Sequence, residues 1–237
     1  MHIGHSVQVM EDGGCALTFD QARDPSLSLK YTQSKSTNLV LGYTLSCFWV
    51  KFELNNETGE PLVLEVSQAG LPQCTFYTVG DDGSPVILEA GSDTYFKDRL
   101  IKSSFQVFPL LQGKHEYYVR LTTNSGPIPF NIYHRDHFEE KSISQRFVYG
   151  IYLGLMLFVF LSNLFFYYCM RNNLYLANAF MVLIFICYSM VVVDGFVVYF
   201  FQKIDMLFWY TTIPPFGITI QIIYALWFLE VKKYNPR

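Results

Sequence analysis

"FVYGIYLGLMLFVFLSNLFFYYCM", residues 147–170, runs for 24 residues without a charge. A helix of about 20 apolar residues crosses the ~30 Å hydrocarbon core of a bilayer. Two further uncharged runs follow, 174–193 and 206–229, of 20 and 24 residues. Core helices of a soluble protein carry an apolar stripe on one side only. Three consecutive helices apolar on every side therefore predict transmembrane spans, at about 147–170, 174–200 and 206–229. The rest of the chain is different: 12 Lys+Arg and 17 Asp+Glu precede Phe147, against 5 and 3 from there on. Two solvents are implied, water for the first part and lipid for the second.

Lys232, Lys233 and Arg237 follow the third run and Arg171 follows the first, which favours the cytoplasm at both places. Lys203 lies on the other side, balanced by Asp205. Lys141 and Arg146 vote against this orientation, but a long folded domain outside the span blunts their effect. The expected arrangement is N-terminal domain outside and C-terminus inside. The amino terminus has no basic n-region and no apolar h-region, and the chain stops just after the third span, so it reads as a fragment of a longer protein.

Residues 1–133 read as short strands: Ser46–Leu54, Pro61–Ser67, Cys74–Val79, Val86–Leu88, Ser104–Pro109, Glu116–Thr122 and Pro127–Tyr133. "NNETGE", "GDDGSP" and "NSGP" supply turn residues between them. Many short strands at this spacing predict an all-β sandwich or jelly roll. Residues 134–146, "HRDHFEEKSISQR", form a polar juxtamembrane linker with helical character. Of Cys15, Cys47 and Cys74 at most two can pair with each other, and no zinc-ligand spacing occurs. Cys169 and Cys187 fall inside spans. Asn56-Glu57-Thr58 is a glycosylation sequon, relevant only in a eukaryotic secretory pathway.

"CFWVKFELNN", residues 47–56, poses one problem. Phe48, Val50, Phe52 and Leu54 alternate onto one face, and Cys47, Trp49, Lys51 and Glu53 occupy the other. A tryptophan beside two charges is either packed under a covering loop or offered to a ligand.

These stretches resemble a known family. "VQVMEDGGCALTFDQA", "LGYTLSCFWVKFELNN" with its Gly…Trp-x-x-Phe-x-Leu-x-Asn pattern, "DDGSPVILEAGSDTYFKDR" and "EYYVRLTTNSGPIPFNIY" are similar to the type 2 extracellular domain of bacterial seven-transmembrane receptors with diverse intracellular signalling modules. "YGIYLGLMLFVFLSNLFFYYCMRNNLYL" and "LWFLEVKKYNPR" are similar to that family's first and third spans. The resemblance implies a periplasmic jelly-roll domain akin to carbohydrate-binding modules, seven spans, and a cytoplasmic output module such as a diguanylate cyclase or histidine kinase. It also implies the inner membrane of a bacterium. Spans four to seven and the output module are not in this sequence.

On that resemblance Trp49 becomes a stacking platform on a concave face, with Lys51 placing a polar contact beside it. Asp93 and Arg99 join it as hydroxyl acceptor and bidentate donor. Arg120 faces opposite to Val119 and Leu121, either in the same site or as an exposed strand residue. The expected partners are a small ligand of carbohydrate type, membrane lipid, and a homodimeric copy or sister receptor. The net-acidic outer part argues against nucleic acid. No metal loop, cofactor motif or catalytic constellation stands out, so the chain is not expected to be an enzyme.

Within the spans, Gly150 and Gly154 form a small-xxx-small pair, and Asn163 is expected to seek an interhelical hydrogen bond. Asp194 is a boundary residue beside Gly195 or, if deep, a functional acid. Pro214-Pro215 is expected to kink the third helix. A transporter or channel subunit with an accessory outer domain is the alternative function, with Asp194 and the proline pair as its only support.

Overall fold

The computed structural model describes residues 1–42, 44–68, 70–122, 126–193, 199 and 206–229. The chain divides into two units, Met1–Lys141 with Gly195–Leu207, and Ser142–Asp194 with Phe208–Arg237. In the first, ten strands form two antiparallel sheets. They are β1 (Gln8–Asp12), β2 (Thr32–Gln33), β3 (Asn38–Val40), β4 (Cys47–Asn56), β5 (Leu62–Val66), β6 (Cys74–Val79), β7 (Pro85–Ala90), β8 (Gln106–Leu110), β9 (Gly113–Thr122) and β10 (Pro127–His134). One sheet has the order β2-β1-β4-β9-β6-β7 and the other β3-β10-β5-β8. This is a β-sandwich, as the strand spacing predicts.

The alternation along β4 decides its register. Phe48, Val50 and Phe52 turn inward and meet Leu64, Val66, Phe108 and Phe130 of the facing sheet in one buried cluster. Phe76 belongs to that cluster, stacked on Phe108 at 5.0 Å and tilted against Tyr117 at 5.6 Å. Each such side chain contributes about 1.5–3 kcal/mol by leaving water. β4 ends where Asn56 folds the chain back. Its side-chain oxygen accepts from the Thr58 amide and hydroxyl (3.3 and 2.7 Å), and its amide donates to Glu60 O (3.0 Å).

A disulfide joins Cys15 to Cys47, and Cys74 stays buried as a free thiol. Burial pushes the Cys74 thiol up to about 12, against a smaller opposing pull from Arg99.

The helix α2 (Arg135–Met170) starts directly after β10, so the polar linker is the opening of a helix. Its first turns are fastened to the sandwich. Phe138 is buried against Val63 and Val107. Lys141 Nζ donates to both Glu65 oxygens (2.9 and 3.1 Å) and to the Tyr133 hydroxyl (3.0 Å). Glu65 is 1 % exposed, and the Ser67 hydroxyl also donates to it.

The second unit holds the remainder of α2, then α3 (Asn173–Tyr188) with a π turn at Ser189–Val193, and α4 (Met206–Phe228). Among the described residues three helices are long and apolar enough to cross a membrane, over Arg135–Met170, Asn173–Val191 and Thr211–Phe228. Only 11 %, 22 % and 6 % of their most apolar windows are buried, so most of this apolar surface faces outward and needs a lipid solvent. Asn163 meets its expectation: its side-chain oxygen accepts from Asn178 of α3 at 2.8 Å, and its amide donates to Val159 O. Tyr149 of α2 and Ser189, the first residue of the π turn, make a second bond at 2.8 Å. A Cβ at Gly150 or Gly154 would meet nothing within 4 Å, so that pair is not a contact among the described residues. Gly217 is the close one, where a Cβ would lie 3.3 Å from Ile184. Pro214 and Pro215 lie inside α4, which continues through them. Asp194, Lys203, Asp205, Lys232, Lys233 and Arg237 lie outside the described residues.

Candidate functional site

The five predicted site residues fall in two separate places. Trp49, Lys51 and Arg120 share its outer face. Register places Met10, Trp49, Arg120 and Thr75 in one row across β1, β4, β9 and β6, and Lys51, Tyr118 and Tyr77 in the next. Arg120 lies over the Trp49 ring, its guanidinium carbon 5.9 Å from the centroid.

This face is covered. Trp49 is 0 % exposed, because residues between the Cys15 disulfide and Tyr31 pack over it. Leu17, Phe19, Ala22, Leu27 and Tyr31 close on Met10, Trp49 and Tyr118. Phe19 stacks on Tyr77 at 5.0 Å. The cover is locally well built. Asp12 accepts from the Ala16 and Leu17 amides, and Thr18 and Gln21 form a capping box on the short helix α1 (Phe19–Ala22). Tyr31 donates to Ala22 O at 3.1 Å, and Arg120 Nη2 donates to Cys15 O at 2.6 Å. Trp49 Nε1 and Arg120 Nε are buried without a hydrogen-bond partner among the described residues. The tryptophan that alternation left unexplained is thus packed under a cover in this structure.

At the rim of the cover, Lys51 pairs with Glu116 at 2.9 Å, and the Tyr118 hydroxyl donates to the same carboxylate at 3.0 Å. Partial burial works against the charge on Glu116, but hydrogen bonds from Lys51 and Tyr118 outweigh it and hold the carboxyl below its ordinary value.

Asp93 and Arg99 belong to a separate recess of about 450 Å³. It opens where β7 and β8, the edge strands of the two sheets, approach each other. Leu88, Ala90, Ile101, Val107 and Phe108 give it an apolar floor, and the segment from Asp93 to Leu100 forms its wall. Glu89, Asp93 and Asp98 bring carboxylates to it, all three exposed. Tyr95 presents a half-exposed ring. Arg99 is 5 % exposed. Nη1 donates to Ser103 O (3.1 Å) and Nη2 to Gly91 O (2.5 Å), and the guanidinium lies 5.6 Å from the Phe96 centroid. Gly91 is required there: its φ is +116°, and a Cβ would come within 2.4 Å of Pro72 O.

Two recess residues, Ile101 and Val107, also belong to the cluster that buries Phe138 of α2. Those apolar floor residues and Asp98 escaped sequence reasoning, because nothing local ties positions 88, 101 and 107 together. The capping box Thr18…Gln21 was available as a signal for the cover over Trp49. No group of three or more His, Cys, Asp or Glu poised for a metal occurs among the described residues.

A two-sheet sandwich whose last strand leads directly into the first of three apolar helices defines a membrane protein with a folded outer domain. The chain belongs to the family of the 7TMR-DISM extracellular 2 domain, whose model matches residues 4–134. No curated protein matches it. The family and the membrane helices fit a membrane receptor with its N-terminal domain outside.

Proposed function

We propose that this chain is the sensing part of a bacterial inner-membrane receptor. Its outer sandwich takes a small, carbohydrate-like ligand in the recess between β7 and β8 and relays the bound state through α2 towards a cytoplasmic output module. The observation that carries the proposal is the shared cluster: Ile101 and Val107 line the recess and also hold Phe138. A ligand that shifts these two side chains changes the packing of the helix root. Close-packed interiors transmit such shifts instead of absorbing them, and a ligand drives the change only by its differential affinity for the two arrangements. The recess has the size of an ordinary small-ligand site, and its wall offers carboxylates for hydroxyl groups. Trp49, by contrast, is 0 % exposed beneath its cover.

The test uses the whole chain in lipid nanodiscs with a panel of mono- and disaccharides. Binding is read by thermal shift, and the helix root by hydrogen exchange of the amides at 135–141. A binder should raise the melting temperature and alter exchange at the root, and Thr94→Trp, which fills the recess, should abolish both. A sugar that binds equally well to the Thr94→Trp protein would remove the recess as the site. One that binds there without changing the root would remove the relay.

A further inference from the structure

Arg99 has a feature that its role as a backbone tie does not explain. Its guanidinium is almost fully buried, it lines the recess, and among the described residues it makes no ion pair. Two of its N–H groups are spent on the carbonyls of Gly91 and Ser103, and its Nε is buried with no hydrogen-bond partner among the described residues. A buried cation without a counter-charge is costly, and proteins ordinarily pair such a charge or leave it in water. The recess also brings Glu89, Asp93 and Asp98, exposed at its mouth. A bare inorganic anion would have to pass this acidic mouth with nothing to offer it. A molecule that carries hydroxyl or ammonium donors next to its negative charge satisfies both parts.

We infer that the ligand of this recess bears a carboxylate that pairs with Arg99 while its neighbouring donor groups bind Asp93 and Asp98. The inference rests on the recess being the ligand site, as proposed above, and adds the charge of the ligand. Two sources share this chemistry: a sugar acid, with hydroxyl donors, and an α-amino acid, with an ammonium donor and an apolar side chain for Leu88 and Phe108. The two oxygens of a carboxylate match the guanidinium fork, and unlike a bare inorganic anion it arrives attached to the donor groups that the acidic mouth accepts.

The experiment compares each acid with its neutral isostere on the unaltered chain in nanodiscs, by calorimetry at low salt. One arm uses D-glucuronate, D-glucuronamide and D-glucose; the other uses L-leucine and L-leucinamide. In the arm that supplies the ligand, the carboxylate should bind at least about tenfold more tightly than its amide, the loss expected when one charge-assisted pair is removed. Thr94→Trp should abolish binding by obstruction without touching the Arg99 bonds. Arg99→Lys, which keeps the charge and loses the fork, should weaken the acid more than the amide, so that the ratio of the two affinities falls towards one. Equal binding of acid and amide in the recess would overturn the inference and leave the receptor reading standing. Acid binding that survives Thr94→Trp, or no binding in either arm, would overturn it together with the recess as the site.

Discussion

Lys141→Met tests how the helix root is held. The substitution keeps the length and apolar stem of the side chain but removes the ammonium that serves both oxygens of Glu65 and the Tyr133 hydroxyl. Glu65 is left with a side chain 2 % exposed and the Ser67 hydroxyl as its remaining side-chain donor. Stranding one member of a buried ion pair costs about 3–5 kcal/mol. Lys141 is itself a quarter exposed, so water reaches the pair from one side, and about 3 kcal/mol is the appropriate figure. For a domain of this size that lowers the melting temperature by roughly 10 °C. The assay is thermal unfolding of the full chain in micelles, followed by near-ultraviolet circular dichroism of the outer domain's aromatic residues. Glu65→Met with Lys141→Met should recover most of the loss, because replacing both charges by apolar groups removes the stranded carboxylate. A single-variant cost under about 0.5 kcal/mol, the range of ordinary surface changes, would refute the clamp. So would a double variant as unstable as the sum of the two singles.

Replacing Cys15 and Cys47 together by Ser opens a loop of 32 residues' separation and should cost about 3.5 kcal/mol by loop-closure entropy, read as a lower urea midpoint. Trp49→Ala should cost about 3–5 kcal/mol as a core truncation and leave the affinity of a recess ligand unchanged; lost affinity at unchanged stability would restore the platform role. Glu116 has a depressed carboxyl in the fold, so its pairing stabilises above the ordinary carboxylate value of about 4.3 and is lost as pH falls through the lower folded value. Lys51→Met should therefore be the less stable protein at pH 7 and converge on the parent only once pH falls below the lowered Glu116 value; a gap that widens in acid contradicts this. Asn163→Leu should weaken the α2–α3 association by about 1 kcal/mol, measurable by steric trapping in bicelles.

Much of this architecture could be read from the residues alone. The strand expected at Cys74–Val79 is β6 with the same bounds, and the other expected strands overlap β4, β5, β7, β8, β9 and β10. These segments have alternation or long β-branched runs between Gly- and Asn-rich turns, which are local signals. β1, β2 and β3 were not foreseen. Thr32–Gln33 and Asn38–Val40 are two and three residues long and exist because longer strands beside them supply a ladder. The site was harder for the same reason. Alternation correctly set Trp49 apart from Phe48 and Val50, but whether its side of the sheet meets water depends on residues 15–31, distant in the chain and without periodicity. Arg99 shows the reverse case: its burial depends on the carbonyls of Gly91 and Ser103 converging on it, which no pattern within its own segment announces.

The turn at Asn56 bears on how this domain is produced. Its amide nitrogen, the atom an oligosaccharide would occupy, is committed to Glu60 O, and the residue is buried. Once folded, the domain presents no acceptor there. Glycan transfer in a eukaryotic secretory host precedes folding, however, and a sugar attached at that moment would occupy the bond that closes the turn from β4 to β5, where the chain crosses between the two sheets. Secretion from yeast or insect cells should yield a mixture of unmodified native domain and glycosylated chains retained as misfolded. Thr58→Ala would remove the modification only by also removing a hydroxyl that Asn56 uses, so a host without the transferase is the sounder choice.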